Sequence, residues 1–457
     1  MAQLANVKNV SRTVSNLFPR INRTHFIESS LEHTWSDVYL PINNVDTDHF
    51  CEFRIPRSQG NLIDLSSLNL QFHFTTKKKV KNLGAWSPSQ KTGSGDHYEI
   101  SNAIAFSVFK SLSIELNGVQ VTNESNYALL SYIRLITQFP KDEIEKLGKL
   151  LHLEFYDKIQ SSFPDDTYFQ GLNMNEPVYK RLSNLRNHGI HIFAPLITDI
   201  CQLNMYMLDN VEIVIKLLIN DVSTIINTSQ QEINLSNSKA KKYFCNLSNM
   251  CLHVKKIKPT ENSYNAFIKT LTPSNNITPL LNYIFTSKLS RQLHLPNGQN
   301  DITLEMPFGS TIPEKIWILF QKYDNFNTKS FKENLLFLEH LNLVQIHISI
   351  NGSTIYNIYS DFVNKNVAQL YNTTLNCLPI KNHLLTYDHF INGKTLLGFQ
   401  LVNYDESADI RSPLTGVLKI NLRFKEKLPD PAIVFIIGEC LSALSVNINR
   451  DIILNKS

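Results

Sequence analysis

The chain contains the stretch SIELNGVQV at 113–121 and, 234 residues later, the similar stretch HISINGSTI at 347–355. Before each Asn-Gly pair, apolar residues alternate with other residues, which is typical of a strand with one buried face. Asn and Gly both accept the positive φ angles that a two-residue hairpin turn requires. Each stretch therefore predicts two antiparallel strands joined by a tight turn, so the sequence contains the same hairpin twice.

Three further patterns accompany each hairpin in the same order along the chain. In chain order they are FRIP and LEMP (53–56 and 304–307), alternating strands that end at Phe74 and Phe320, and NVEIVI and GVLKIN (210–215 and 416–421). One repeated hairpin would be weak evidence, because hairpins are common in β proteins. Four features repeated in one order indicate that a β domain is duplicated within the chain.

The duplication predicts three segments. We expect an N-terminal arm at 1–44, a first domain at 45–240 and a second domain with a C-terminal tail at 241–457. The stretch 227–242, which is rich in Ser, Asn, Gln and Lys, is the natural linker between the two domains.

The hydrophobic pattern favours an all-β protein. Period-two alternation occurs at 51–55, 68–74, 211–217, 316–320, 344–350 and 417–424. Helical spacing is confined to three patches, which lie at 127–139, 142–151 and 361–371. About 200 residues per domain, with many strands and few helices, suit two tandem jelly-roll β-sandwich domains (a double jelly roll) with a few short helices in loops.

Composition limits the classes of function. The 457-residue chain of 52.4 kDa has a formal net charge of only +4, so its bulk charge does not indicate a nucleic-acid coat. Its six cysteines include no CxxC pair, which favours free thiols in a reducing compartment. The first residues lack the apolar segment of a secretory signal, and the most apolar stretch, 432–444, is too short to span a bilayer. We therefore expect a soluble protein made inside a cell.

The first 23 residues are basic and contain no acidic residue. Their charged side chains belong to Lys8, Arg12, Arg20 and Arg23. Apolar residues at 7, 10, 14, 17 and 21 follow the spacing of one helix face. The segment predicts a basic amphipathic arm that contacts a neighbouring subunit, an anionic surface or packaged nucleic acid. A frayed terminus is the alternative.

Motifs for catalysis and metal binding are missing from the sequence. It contains no P-loop, no GxGxxG and no HExxH. His188 and His191 flank Gly189 without a Cys or acid cluster nearby, which is typical of loop histidines rather than metal ligands. The basic run KKKVK at 77–81 predicts a solvated loop, with phosphate contact as the alternative. We predict no enzyme activity, no cofactor and no metal site, although the two carboxylates of a glycosidase would leave no local motif.

Several short motifs resemble one family in their order. They are ESS at 28–30, FRIP at 53–56, NLIDLSSLNL at 61–70, NAIAFSVFKSLSIELNG at 102–118 and PLITDICQ at 195–202. The helical pattern at 127–139 and the segment 150–156 lie between the last two. This order resembles the major capsid (hexon-like) proteins of Maverick/Polinton elements and adintoviruses. The second half of the chain matches that family only in its alternation of apolar with other residues along the strands.

The resemblance implies a structural role without catalysis. It implies a double jelly-roll subunit that forms pseudo-hexagonal homotrimers, and trimers that tile an icosahedral shell around a DNA genome. Partners would be neighbouring capsomers, penton proteins and minor capsid proteins, with weak contact of the N-terminal arm to the genome or inner surface. No small-molecule substrate and no cofactor are implied. The subunit would be made in the host cytoplasm, assembled in the nucleus and located in the virion capsid.

Two other classes of function stay open on the sequence alone. One is a β-sandwich module that binds a ligand or carbohydrate, and the other is a β-rich enzyme with dispersed acids. Jelly rolls host many roles, so the fold by itself does not choose among them.

Overall fold

The computed structural model describes seven segments of the chain. They are 31–151, 189–228, 243–271, 281–323, 336–402, 414–446 and 451–455, apart from short gaps at 44, 46–48, 59, 80–85, 89–97, 102, 204–205, 209 and 380–381. Nearly all of these residues belong to two barrels that follow each other in the chain.

Twelve described strands belong to the first half. They are β1 (Leu31–Tyr39), β2 (Phe50–Ile55), β3 (Leu62–Lys79), β4 (Trp86–Pro88), β5 (Tyr98–Ile100), β6 (Phe109–Leu116), β7 (Val119–Glu124), β8 (Ile190–Pro195), β9 (Met207–Leu208), β10 (Ile213–Ile219), β11 (Ile226–Thr228) and β12 (Tyr243–Pro259). Eight of them build a sandwich of two sheets. Sheet A has the order β1-β12-β3-β8, and sheet B has the order β2-β10-β6-β7. The short strands β4 and β9 also pair with β3, and β5 pairs with β11.

The second half repeats this architecture. Its described strands are β13 (Leu281–Leu295), β14 (Asp301–Glu305), β15 (Thr311–Ile312), β16 (Lys315–Lys322), β17 (Leu343–Ile350), β18 (Ser353–Tyr359), β19 (Leu397–Gln400), β20 (Leu414–Thr415), β21 (Leu418–Phe424), β22 (Ala432–Val446) and β23 (Ile452–Asn455). Sheet A of this barrel has the order β13-β22-β16-β19, and sheet B has the order β14-β21-β17-β18.

The two barrels have the same topology. When the eight sandwich strands of each barrel are counted along the chain, sheet A is ordered 1-8-3-6 and sheet B 2-7-4-5 in both. This is the strand order of a jelly roll, and the prediction of an all-β double jelly roll is confirmed. The four repeated sequence patterns occupy corresponding strands: FRIP and LEMP lie at the second strands, and the Asn-Gly hairpins join the fourth and fifth.

The limits of the first barrel differ from the predicted domain boundaries. Strand β1 lies within the predicted arm and β12 within the predicted second domain, yet both belong to sheet A of the first barrel. The first and last strands of a jelly roll are neighbours in one sheet, so a barrel ends only where its eighth strand ends. In this chain that strand ends at Pro259.

The hairpin turns follow the predicted chemistry in both barrels. Asn117 and Gly118 have φ angles of 48° and 82°, and Asn351 and Gly352 have 50° and 83°. These paired positive angles are those of a type I′ turn. The other two Asn-Gly pairs do not share this conformation, because neither Asn297 nor Asn392 has a positive φ angle. Asn392 instead ends a helix.

Helices lie in the connections between strands. They are α1 (Ile104–Ser107), α2 (Tyr127–Gln138), α3 (Lys141–Leu151), α4 (Val222–Ile225), α5 (Glu261–Leu271), α6 (Ala368–Cys377) and α7 (Tyr387–Ile391), with a 3₁₀ turn at Ile200–Gln202. Helices α2 and α3 confirm two predicted patches, with Pro140 between them. None of the described helices is long and apolar enough to cross a membrane.

The third predicted helix begins later than the sequence pattern indicated. The patch 361–371 was expected to be helical, but the helix starts at Ala368. Asp361 accepts hydrogen bonds from the backbone and side-chain nitrogens of Asn364, at 3.1 and 2.6 Å, and pairs with Asn366 through the backbone. Such local side-chain hydrogen bonds compete with helix formation.

Two predicted loop features lie in strands instead. Lys77 to Lys79 form the end of β3, where Lys77 and Lys78 pair with residues of β12. His191 lies in β8, directly opposite His73 of β3, whereas His188 falls outside the described residues. In both places the strand extends further than alternation alone indicated, because a neighbouring strand pairs with it.

Each sandwich is filled by the inward residues of its two sheets. In the first barrel Phe72 of sheet A meets Phe109 edge to face, with ring centroids 5.7 Å apart. In the second barrel Phe320 of sheet A meets Phe424 of sheet B in the same manner at 5.8 Å. All four rings are buried, and edge-to-face geometry is a favoured arrangement for aromatic pairs.

Candidate assembly site between the two barrels

Helix α2 joins the first barrel to the second. It lies between β7 and β8 in the chain and has two apolar faces. Tyr127, Leu135 and Ile136 belong to the main buried cluster, and Tyr127 meets Phe106 of the first half edge to face with ring centroids 6.2 Å apart. Leu129, Leu130 and Ile133 pack with side chains of the second barrel. A helix buried on two sides is apolar around most of its circumference, as its sequence YALLSYIRLITQ is.

The surface that receives α2 is the outer face of sheet A in the second barrel. Its apolar residues are Trp317, Leu319, Ile433, Phe435 and Ile437, all of which are buried. Inward neighbours such as Ile318 and Ile436 fill the barrel core, so both faces of β16 and β22 are covered. Burial of each large apolar side chain contributes roughly 1.5–3 kcal/mol, so this contact holds the barrels together firmly.

A buried arginine anchors the contact electrostatically. Arg134 of α2 is fully buried and donates two hydrogen bonds of 2.8 Å to the two carboxylate oxygens of Glu124. Its Nε atom donates to Asp199 at 2.9 Å. Asp199 in turn accepts a 2.7 Å hydrogen bond from the backbone N–H of Lys288, which lies in β13 of the second barrel. One cation therefore connects strand β7, helix α2 and the turn at Asp199, and that turn connects to the other barrel.

A second buried ion pair lies within the receiving face. The ammonium of Lys288 donates to Glu439 of β22, and the indole N–H of Trp317 donates to the same carboxylate oxygen at 2.9 Å. The three residues come from three neighbouring strands, β13, β22 and β16. The charges are thus satisfied in pairs, as burial requires.

The surroundings of these groups shift their pKa values. Burial favours the neutral form of Arg134, but Asp199 and Glu124 outweigh it and raise the pKa of the guanidinium. Burial opposes the charge of Glu439, but Lys288 and the hydrogen bonds to the carboxylate outweigh it, so the pKa of Glu439 lies below its usual range. Both residues therefore remain charged at neutral pH.

Two hydrogen bonds to backbone carbonyl oxygens extend the interface. The hydroxyl of Tyr283 in β13 donates to the carbonyl oxygen of Tyr206 at 3.3 Å. The N–H of Lys141, at the start of α3, donates to the carbonyl oxygen of Asn382 at 2.9 Å. The interface thus combines an apolar centre with polar contacts around it.

The sequence contains one feature that indicates this interface, but a search for period-two alternation does not detect it. IWILF at 316–320 and AIVFII at 432–437 are apolar at consecutive positions, unlike the alternating strands of the first barrel. A strand that is apolar on both faces is covered on both. The partner helix, in contrast, could not be identified without the fold.

The predicted contact residues Lys8, Arg12, Arg20 and Arg23 lie outside the described residues, so their role stays a prediction. Within the described segments, no three His, Cys, Asp or Glu side chains stand close enough together to bind a metal ion.

Comparison with known proteins finds likeness in structure but not in sequence. No family model and no curated protein matches the chain. A chain in the cryo-EM structure of the Sputnik virophage is 12% identical, with a TM-score of 0.61 over 95% of this chain and 90% of that one. The mavirus major capsid protein is 12% identical, with a TM-score of 0.56 over 92% of this chain and 90% of that one. The Faustovirus major capsid protein is 10% identical, with a TM-score of 0.53 over 97% of this chain and 98% of that one. The similarity extends over nearly the full length of each chain, and it shows that this protein has the double jelly-roll fold.

Proposed function

We propose that the protein is a major capsid protein that self-assembles into pseudo-hexagonal homotrimers, which tile an icosahedral shell around a DNA genome. The observation that carries the proposal is that two barrels with one topology are joined through a buried apolar contact. Likeness to the mavirus and Faustovirus major capsid proteins over more than 90% of the chain supports the same role.

The duplicated barrel gives a physical reason for a hexagonal building block. Three copies of a two-barrel chain place six similar units around a threefold axis, and such a ring packs into a hexagonal array. Contacts between barrels of different chains are heterologous, so they close into a ring when the rotation fits. The sandwich also limits free strand edges, which lowers the risk of uncontrolled association of strands.

Finer points of the proposal rest on the sequence. The motif order favours the Maverick/Polinton and adintovirus type. Neighbouring capsomers, penton proteins and minor capsid proteins are the expected partners, and no enzymatic activity is expected. The N-terminal arm with Lys8, Arg12, Arg20 and Arg23 is proposed to contact the inner surface or the genome. The protein would be located in the virion, after synthesis in the cytoplasm and assembly in the nucleus. The sequence places the division between the two domains at 240, and the pairing of Tyr243–Pro259 with the first barrel favours a division after Pro259 instead.

Electron microscopy of the expressed full-length chain tests the proposal. We expect single particles with a hexagonal outline and, at high concentration or with added DNA, curved arrays or shells. Elongated two-lobed single subunits at every concentration would refute it. Binding to an immobilised glycan panel without any assembly would favour the carbohydrate-binding module instead.

A further inference from the structure

The four residues 340–343, which lead into β17, form a strained turn. The carbonyl oxygen of His340 accepts a hydrogen bond from the backbone N–H of Leu343 at 2.9 Å. Between them, Leu341 and Asn342 have φ angles of 47° and 51°. This is the geometry of a type I′ turn, whose two central positions favour Asn and Gly because these residues accept positive φ angles. Leucine at the first central position is disfavoured, so the turn depends on support from side chains around it.

The side chain of His340 supplies such support. Its Nδ1 atom accepts a hydrogen bond from the backbone N–H of Asn342 at 3.0 Å. An imidazole nitrogen accepts a hydrogen bond only while it carries no proton, so this bond requires the neutral ring with its proton on Nε2. A proton on Nδ1 would bring two donors face to face. Protonation of His340 therefore breaks the hydrogen bond that supports the turn.

Stacked rings connect this turn to helices α6 and α7. The ring of His340 lies on the buried ring of Phe362, with centroids 4.6 Å apart and planes 5° from parallel. Phe362 stacks on Phe390 of α7 at 6.2 Å, and Phe390 meets Tyr371 of α6 at 5.4 Å. His340 is thus the first of four rings that join the turn before the fourth sandwich strand to the connection between the fifth and sixth strands.

Burial makes protonation of His340 unfavourable. It lowers the pKa of the ring below the ordinary value of 6.5. Among the described residues, the charged side chains of the surrounding elements belong to Lys322, Glu339, Asp361, Lys365, Asp388 and Lys425. Glu339 pairs with Lys322 at 3.8 Å, and Asp361 accepts hydrogen bonds from Asn364. The face of Phe362 attracts a cation, but this attraction does not restore the lost hydrogen bond to the turn.

Two further histidines respond to acid in the same direction. His383 and His389 lie in the connection that also carries Phe362. Burial lowers the pKa of both rings, and the charge of Lys394 adds to this effect at His389. The unfolded chain binds protons more readily than these folded sites do. The stability that the neutral rings contribute is therefore complete above about pH 6.5 and is lost as the pH falls towards the folded pKa.

We propose that His340 is a pH-sensitive switch, whose protonation at mildly acidic pH opens the turn 340–343 at one end of the second barrel while the sheets of both barrels stay paired. The switch lies within one chain, so it does not depend on assembly into trimers. It also differs from the acid response of Glu439, whose pKa lies below 4.5.

Two substitutions of His340 should have opposite effects. In His340→Asn the side-chain oxygen can accept from the backbone N–H two residues ahead, as in an Asx turn, but it does not titrate near neutral pH. His340→Phe keeps an aromatic ring for the stack but accepts no hydrogen bond. The matched control is His253→Asn, which removes a half-buried histidine from β12 of the first barrel. Circular dichroism near neutral pH checks the folding of all three variants.

Hydrogen–deuterium exchange of the full-length chain, mapped by peptide mass spectrometry, measures opening of the turn. It is compared at about pH 7.5 and about pH 5.5, after correction for the effect of pH on the intrinsic exchange rate. In the wild type we expect peptides covering 339–345 to exchange at least about threefold faster at the lower pH, and peptides covering β6 and β7 to stay unchanged. His340→Asn should be slow at both pH values and His340→Phe fast at both, whereas His253→Asn should behave as the wild type does.

Three results would overturn the switch. The first is a wild type whose exchange at 339–345 is the same at both pH values. The second is a His340→Asn variant that keeps the full wild-type pH response, because another group would then cause it. The third is equal acceleration in β6 and β7, because acid would then open the whole chain. If neither His340 variant folds, the comparison of the two segments in the wild type and in His253→Asn still decides.

Discussion

Asn117 and Asn351 make the same two hydrogen bonds in the two barrels. The side-chain oxygen of Asn117 accepts from the backbone N–H of Glu212 at 2.8 Å, and its own N–H donates to the carbonyl oxygen of that residue at 2.9 Å. Asn351 repeats both bonds with Val417, at 2.8 and 2.9 Å. The hairpin turn thus binds the start of the seventh strand in each barrel, and the same atoms form these two hydrogen bonds in both barrels.

These turns should tolerate substitution in the same way in both barrels. Replacing either Asn with Ala removes the side-chain hydrogen bond and leaves an alanine at positive φ. We expect a loss of about 2–3 kcal/mol in unfolding free energy. Replacement with Gly relieves the backbone strain and should cost only about 1 kcal/mol. Chemical denaturation of the four variants tests this, and a large cost at one turn with none at the other would contradict structural equivalence.

Arg134 should be far more important for stability than an exposed ion pair. Arg134→Met leaves Glu124 and Asp199 buried without their cation, and we expect a loss of about 3–5 kcal/mol in unfolding free energy. The matched control is Lys419→Met, which breaks an exposed pair with Glu305 at 2.9 Å and should cost about 1 kcal/mol or less. Similar urea midpoints for the two variants would show that the network does not anchor the barrel contact.

The ion pair of Glu439 predicts a specific acid dependence. Its pKa in the folded protein lies below the ordinary value of 4.5, so the stability it contributes is present above about pH 4.5 and is lost as the pH falls through the folded pKa. Glu439→Gln removes this contribution. The difference in stability between wild type and variant should therefore be constant near neutral pH and shrink below about pH 4.5. A difference that grows on acidification would have the wrong sign.

Close packing at the barrel contact is testable at a single methyl group. A Cβ atom at Gly398 would lie 2.5 Å from the buried ring of Trp317. We expect Gly398→Ala to cost about 1–3 kcal/mol, because the ring has no room to move. Combining it with Trp317→Phe, which makes the ring smaller, should cost less than the sum of the two single variants. Strict additivity in this cycle would indicate that the two positions do not interact.

The basic N-terminal segment should act in assembly rather than in folding. Deletion of residues 1–23 removes Lys8, Arg12, Arg20 and Arg23 while leaving every described strand intact. We expect soluble trimers of normal stability that fail to form closed particles in electron micrographs. Normal particles from the shortened chain would refute a role for the arm.

The parts of the fold predicted from sequence are those that depend on local pattern. The hairpins around Asn117 and Asn351 were predicted because alternation and turn chemistry act over a few residues. The membership of β1 and β12 in one sheet was not predicted, because these strands pair across more than 200 residues of chain. No local pattern encodes such a pairing.

The charged residues of the interface were not predicted either, because they too are far apart in the chain. Arg134, Glu124 and Asp199 are scattered over 76 positions and carry no motif spacing. Only the fold brings them together, and only burial distinguishes Arg134 from a surface arginine. The apolar faces of β16 and β22 were visible in the sequence, but their partner was not.

The mass of the purified chain in solution tests the central claim most directly. Multi-angle light scattering over a range of concentrations should give a stable species of three times 52.4 kDa, with a hexagonal outline in negative stain. A single 52.4-kDa species that persists at the highest concentrations reached would contradict the account.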